Sequence, residues 1–356
     1  MVDKGFILLA DISGYTIFLA DSELEHAQAI LHSLLELLIE HTHSPLVINK
    51  VEGDAVFSHA PAGSFRNGQT FVENIEQTYI TFRKALELMA ANTTCACNAC
   101  RNMRSLDLKF IVHYGEYISQ RLAGQEELTG KDITLAHRLM KNSVVEDLHF
   151  PAYAMYTSPA AQALGILDLC SEMVQHSENY ASIGEIPIYV QDLGKVWEKR
   201  RGEVRLVVQP SEVLIEFSDI FNCSQVQLWD LFTDPESRGV FMQSNRQYLT
   251  DRKSGRTGPG ATYHCEHGNR TSRQTILDWE PFEQFTTQET GLFVNTYDRA
   301  TYQFIPVDGG TRLKILVGKF YGPVLKCWLS NVAFRLMGNR IYRKGSEVLK
   351  DRLVPV

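Results

Sequence analysis

The chain has 356 residues, 44% of them hydrophobic and 22% charged, with a formal net charge of −7. This is the composition of an ordinary globular protein long enough for two domains; it excludes a disordered chain, and there is no apolar run of about 18 residues and no basic leader before an apolar stretch, so neither a membrane span nor a signal peptide is expected. Seven cysteines, an odd number without a secretory leader, point to reduced thiols and a cytoplasmic protein.

The first predicted element is a hydrophobic strand, Phe6 to Ala10, which runs into Asp11 and then the small-residue turn Ile12-Ser13-Gly14-Tyr15-Thr16. Free backbone N–H groups in such a turn suit a phosphate. Ser22 to His41 reads as a helix, with Ser22 and Glu25 as a capping box and Ala27, Ile30, Leu31, Leu34 and Leu38 on one face. Pro45 closes it. In Lys50-Val51-Glu52-Gly53-Asp54-Ala55-Val56-Phe57 a Gly-Asp turn between apolar runs predicts a hairpin with Asp54 at its tip. Two carboxylates on adjacent strands, Asp11 and Asp54, could hold two Mg²⁺ ions, because magnesium takes few carboxylates and completes its shell with phosphate oxygens.

A second helix is predicted from about Phe71 to Ala91. Behind it, Cys95, Cys97 and Cys100 could wrap one Zn²⁺, but a closed site requires a fourth ligand that the spacing does not identify. The other reading is a surface loop of redox-sensitive thiols. Next come the strand Leu106 to Gly115, the segment Glu127 to Leu139 ending in a helix, a strand at Ala152 to Thr157 and a short helix at Ser158 to Leu164. Tyr180 to Leu193 reads as the closing strands. His113, a lone histidine in a strand, and His137 are expected to be structural.

The order of these motifs resembles the catalytic domain of class III adenylate and guanylate cyclases over residues 5 to 200. The carrying residues are Asp11-Ile12-Ser13-Gly14-Tyr15-Thr16, Lys50-Val51-Glu52-Gly53-Asp54, His113-Tyr114-Gly115 and Gly130-Lys131-Asp132-Ile133-Thr134-Leu135-Ala136-His137-Arg138-Leu139. The resemblance implies that Asp11, Asp54 and the Ile12 carbonyl bind two Mg²⁺ or Mn²⁺ ions. It implies that Lys50 and Glu127 read adenine, that Ser13, Gly14 and Tyr15 line the phosphate turn, and that Arg138 stabilises charge on the phosphates. Thr134 departs from the pattern, which has an Asn orienting the ribose; a hydroxyl can still hydrogen-bond a sugar but lacks the amide's paired donor and acceptor. The family geometry further implies a homodimer with metal residues on one protomer and Arg138 on the other.

Lys199-Arg200-Arg201-Gly202 to Gln209-Pro210 reads as a linker, giving domains at 1–198 and 211–356 with 199–210 between them. Beyond it a strand (Glu212 to Ile220), a Ser224-opened helix to Phe232, a helical turn from Pro235 to Met242, several strands and a long helix from about Pro323 to Leu353 are predicted. With Val226, Leu228, Trp229, Leu231, Phe232, Asp234, Pro235, Gly258, Gly260 and Trp279 to Phe282, this order resembles the helix-grip fold of the START and polyketide-cyclase superfamily. That resemblance implies a cavity for a hydrophobic small molecule or lipid. The last 46 residues hold ten Lys/Arg against two Asp/Glu, read as a solvated helix face, with a docking surface for anionic lipid or for the acidic first domain as the alternative. His264, His267 and Asp298 are scattered titratable groups there. No nucleic-acid module or repeat is present. The expected class is therefore α+β, a ferredoxin-like cyclase domain followed by a helix-grip domain. The expected function is synthesis of cyclic AMP and pyrophosphate from ATP, with a catalytically silent nucleotide- or lipid-binding protein as the alternative.

Overall fold

The computed structural model describes residues 2–42, 44–122, 124–181, 183–290 and 295–353, and the chain divides into two compact units, Met1–Glu203 and Val204–Val356. Among the described residues no helix is long and apolar enough to cross a membrane. Both units mix helices with mainly antiparallel sheet, the α+β class expected from the sequence.

The first unit contains strands β1 (Asp3–Ser13), β2 (Val47–Glu52), β3 (Ala55–Pro61), β4 (Asp107–Leu122), β5 (Gln125–Thr129), β6 (Tyr153–Thr157), β7 (Val174–Tyr180) and β8 (Gly184–Asp192). Its helices are α1 (Tyr15–Ala20), α2 (Leu24–His41), α3 (Gly68–Asn92), α4 (Asn98–Asn102), α5 (Lys131–Leu139), α6 (Val144–Leu148), α7 (Ser158–Leu164) and α8 (Leu193–Arg201). The sheet runs β2-β3-β1-β4-β6-β8-β7, and β5 pairs only with the far end of β4. β1 is central because it is apolar on both faces. Phe6, Leu8, Ala10 and Ile12 pack into the core under α2, α3, α7 and α8, while Ile7 and Leu9 pack under α5 and α6. Side chains alternate along a strand, so Asp11 falls on the Ile7 and Leu9 face, the side of α5.

Two expectations from the sequence need correcting. There is no Ser22 capping box: α1 occupies residues 15–20, the Asp21 N–H closes onto the Ile17 carbonyl, and the chain enters α2 through an extended Glu23. The basic stretch Lys199-Arg200-Arg201 is not linker but the last turn of α8, where cations face the helix's carbonyl end.

Gly115 on β4 sets the position of α5. A Cβ there would lie 2.4–2.5 Å from the Asp132 side chain, whose Oδ2 accepts the Glu116 N–H at 2.7 Å. Gly115→Ala should therefore lower the stability of this unit by about 2 kcal/mol through overpacking, read as a lower urea midpoint.

The second unit is an antiparallel sheet in the order β10 (Arg246–Thr250), β11 (Thr262–His267), β12 (Arg270–Glu280), β13 (Gln284–Thr290), β14 (Tyr297–Val307), β15 (Gly310–Gly318) and β9 (Val213–Phe221). Helices α9 (Gln225–Thr233) and α10 (Pro235–Phe241) follow β9, and α11 (Val324–Lys350) ends the unit, as a helix-grip fold requires. Ser224 opens α9 as expected, and it does so through a capping box with Gln227 that the sequence reading did not identify. Gly338, Tyr342, Gly345 and Leu349 turn inward on α11. Arg238 is fully buried, 4.6–5.1 Å from the rings of Phe232, Tyr263, Phe285 and Tyr302, and donates to Gln274 Oε1 at 2.8 and 3.2 Å. The outer side of α11 is not only basic: Leu325, Trp328, Val332 and Leu336 are exposed along it.

Candidate functional site

Asp11 sits near the end of β1 and Asp54 in the turn between β2 and β3. The Ile12 N–H donates to the Asp54 carbonyl at 3.2 Å, which fixes the hairpin tip beside the strand. Burial and the Asp11 charge push the Asp54 carboxyl above its ordinary value of 3.8. The Asp11 side chain, 8% exposed, is met by Lys109 Nζ at 2.8 Å from the opposing position on β4, and that ammonium also reaches the Met140 carbonyl at 3.4 Å. Two carboxylates that repel one another in a half-buried setting gain from added positive charge, so the residues present fit a divalent ion. Ser13 and Gly14 follow directly; Gly14 has φ 84°, the left-handed backbone that makes it the start of α1, and Tyr15 packs on the core.

Lys50 and Glu127, 77 residues apart, are brought together at 3.3 Å, with Lys50 also 2.8 Å from Glu52. The β5 arm does this: it pairs with β4 from Ile118 to Leu122, and its Glu126 carbonyl accepts the Asn49 side chain of β2 at 2.9 Å. The Glu52 carboxylate, with Glu127, holds the Lys50 ammonium above its ordinary value. His137 Nδ1 lies 3.5 Å from Glu52.

Thr134 and Arg138 project from α5. Thr134 is exposed, but its hydroxyl donates to the Gly130 carbonyl at 3.1 Å, one turn back. Arg138 is also exposed, and the Tyr180 hydroxyl reaches the carbonyls of Arg138 and Lys141 at 3.1 Å each. His113 is buried, 2.9 Å from Thr157 Oγ1 and 3.5 Å from Asp132, and burial holds its imidazole below the ordinary value.

Cys95 and Cys97, between α3 and α4, converge with Cys100 of α4, and His26 of α2 stands with them. The sequence reading misses His26 because the three thiols lie 69 to 74 residues away from it. It also misses Lys109 and Glu52. Lys109 was legible only as a charge inside an apolar strand, and Glu52 as an acid within the Lys50 hairpin. In the second unit His264 stacks on Tyr248 and contacts Thr250 at 2.9 Å, while Asp298 lies on β14 with β12 and β13 between. Burial pushes the Asp298 carboxyl well up.

Comparison with known proteins gives matches for both units. Residues 31–148 match the family described as "Protein of unknown function (DUF2652)", and residues 213–354 match "Polyketide cyclase / dehydrase and lipid transport". Among solved structures, the chain is similar to a bacterial light-regulated adenylyl cyclase at 12% identity, covering 56% of this chain and 98% of that one with a TM-score of 0.40. The adenylyl cyclase CyaB from P. aeruginosa is similar at 14% identity, covering 54% and 95%, with a TM-score of 0.35. A protein of Mycobacterium tuberculosis (strain ATCC 25618 / H37Rv), "Uncharacterized protein Rv2561/Rv2562", is 30% identical over 162 residues, 45% of this chain and 72% of that protein. The chain belongs to the family of that mycobacterial protein.

Proposed function

We propose that the first unit binds ATP and converts it to cyclic AMP and pyrophosphate as a homodimer, and that the second unit binds a hydrophobic small molecule or lipid. The observation that carries the enzymatic reading is the carboxylate pair, Asp11 on β1 and Asp54 in the adjoining β2–β3 turn, with Lys109 against Asp11. Asp11, Asp54 and the Ile12 carbonyl would hold two magnesium or manganese ions, whose contribution when bound is to neutralise the triphosphate and ease ionisation of the ribose 3′-hydroxyl. That hydroxyl attacks the α-phosphorus as the bond to pyrophosphate breaks.

The chain's own residues do the rest. Lys109 balances the charge of the two carboxylates and is placed to donate to a phosphate oxygen of the substrate. Lys50 donates to a ring nitrogen of adenine and Glu127 accepts from the exocyclic amine, a pairing supported by their 3.3 Å contact. Arg138 places a permanent charge near the phosphates of the site it shares with a second copy. Lys50→Ala is expected to raise the KM for ATP about tenfold with a smaller change in kcat, since a base contact is made before and during the reaction.

The decisive assay offers ATP or GTP with Mg²⁺ or Mn²⁺ and looks for cyclic nucleotide; absence of product with every combination refutes the enzymatic reading. A second reading, nucleotide binding without turnover, is favoured by the Thr134 hydroxyl being engaged with the Gly130 carbonyl. It predicts calorimetric binding of ATP with no product.

A further inference from the structure

Outside the nucleotide site, His26 and three cysteines form a cluster that the reading above does not use. The four side chains come from two separate stretches, the first turn of α2 and residues 95–100, which follow α3 and run into α4. Their ligand atoms all lie within 4.8 Å of one another. His26 Nδ1 is 3.1 Å from Cys97 Sγ, 3.5 Å from Cys95 Sγ and 3.8 Å from Cys100 Sγ. A tetrahedral zinc with Zn–S of about 2.3 Å and Zn–N of about 2.0–2.1 Å separates its nitrogen and sulfur ligands by about 3.5 Å. The three distances bracket that value.

The alternatives are weaker. All four cysteines elsewhere in the chain are buried singly, and no disulfide joins the cluster thiols. A chance meeting of three thiols would not bring an imidazole to the centre of the set. A neighbouring contact also holds the two stretches together, Glu23 Oε2 accepting the Ala99 N–H at 3.2 Å, and within the second stretch the Cys100 N–H donates to Cys97 Sγ at 3.4 Å. The second of these is the kind of backbone hydrogen bond that supports a ligating sulfur.

We propose that His26, Cys95, Cys97 and Cys100 are a closed structural zinc site. His26 binds through Nδ1 as the neutral imidazole, and the thiols lose their protons to the solvent as the metal enters. With four protein ligands the site keeps no open position, so it has no catalytic part. Its task is to clasp α2 to α4. From α4 the chain passes through the turn Met103–Ser105, whose Ser105 carbonyl would lie 3.3 Å from a Cβ at Gly14. The clasp thereby braces the turn that follows Asp11.

The test uses the full chain, apo and then titrated with zinc or with cobalt as a spectroscopic substitute. Expected are one ion per chain and, for cobalt, thiolate charge-transfer absorption with the intense visible bands of a tetrahedral centre. His26→Ala and Cys97→Ser should each weaken binding by at least about 100-fold, since losing a ligand costs at least as much as losing the group that orients one. Cys95 is exposed, so Cys95→Ser tests the same point without a risk to folding. Sub-stoichiometric binding, an octahedral cobalt spectrum, or unchanged affinity in both His26→Ala and Cys95→Ser overturns the proposal. None of these outcomes depends on the nucleotide reading, because the readout is metal binding and not turnover.

Discussion

Asp54→Asn is expected to lower cyclic nucleotide formation by about a thousandfold while leaving the unfolding temperature unchanged or slightly higher. A carboxylate that holds a cation on a triphosphate contributes several kcal/mol at the transition state, and about 1.4 kcal/mol corresponds to each factor of ten. Folding makes no such demand on it. Burial and the neighbouring Asp11 push the Asp54 carboxyl above 3.8 in the folded protein. A group whose folded value is raised stabilises the protein most at pH below its unfolded value, and that contribution is lost as pH rises through the folded value. At neutral pH the ionised Asp54 is thus a mild burden, and a neutral amide of the same shape removes it. Activity retained in Asp54→Asn, measured beside an unchanged melting curve, would sink the assignment of this carboxylate.

Trp229→Ala should lower the stability of the second unit by about 4 kcal/mol, the usual cost of deleting a fully buried large aromatic. Its indole is completely buried on α9, with Trp279, Phe282, Phe285 and Phe304 at ring-centre distances of 4.7–5.8 Å in edge-on contact. No single neighbour can relax into the hole, since Trp279, Phe285 and Phe304 are held on strands and Phe282 in the turn between β12 and β13. Urea unfolding of the second unit, reported by its two remaining tryptophans Trp279 and Trp328, should show a midpoint lower by about 2 M at an unchanged slope. Trp229→Phe, which keeps part of the ring contact, should recover about half the loss. A midpoint within about 0.3 M of the parent protein would mean that the cluster is not the keystone of this core.

Much of the architecture was written into periodic apolar residues. The hairpin with Asp54 at its tip, the helix at Ser158–Leu164 and the helix opened by Ser224 emerged where local spacing put them. The pairing of Lys50 with Glu127 came from the order of motifs, not from spacing, because the two are 77 residues apart. Local signals failed where a neighbouring element claimed the same residues. Ser22 and Glu25 have the spacing of a cap, but α1 ends against them and Glu23 takes the capping position without a side-chain bond. His26 was illegible for a different reason. A histidine on a helix face has no pattern of its own, and the thiols it meets are drawn in only when α4 folds back against α2.

The seating of α5 has a mechanical consequence. Its first turn is wedged against β4 at Gly115, where the Asp132 carboxylate takes the Glu116 N–H, and its last carbonyls are tied to β7 through the Tyr180 hydroxyl. A beam pinned at both ends can neither slide along its axis nor roll about it without first breaking a pin. Thr134 and Arg138 ride between the pins. Their travel is therefore the travel of the whole first unit, and in the proposed mechanism Arg138 would meet a triphosphate only through the docking of a second copy, not by a helix closing within its own chain.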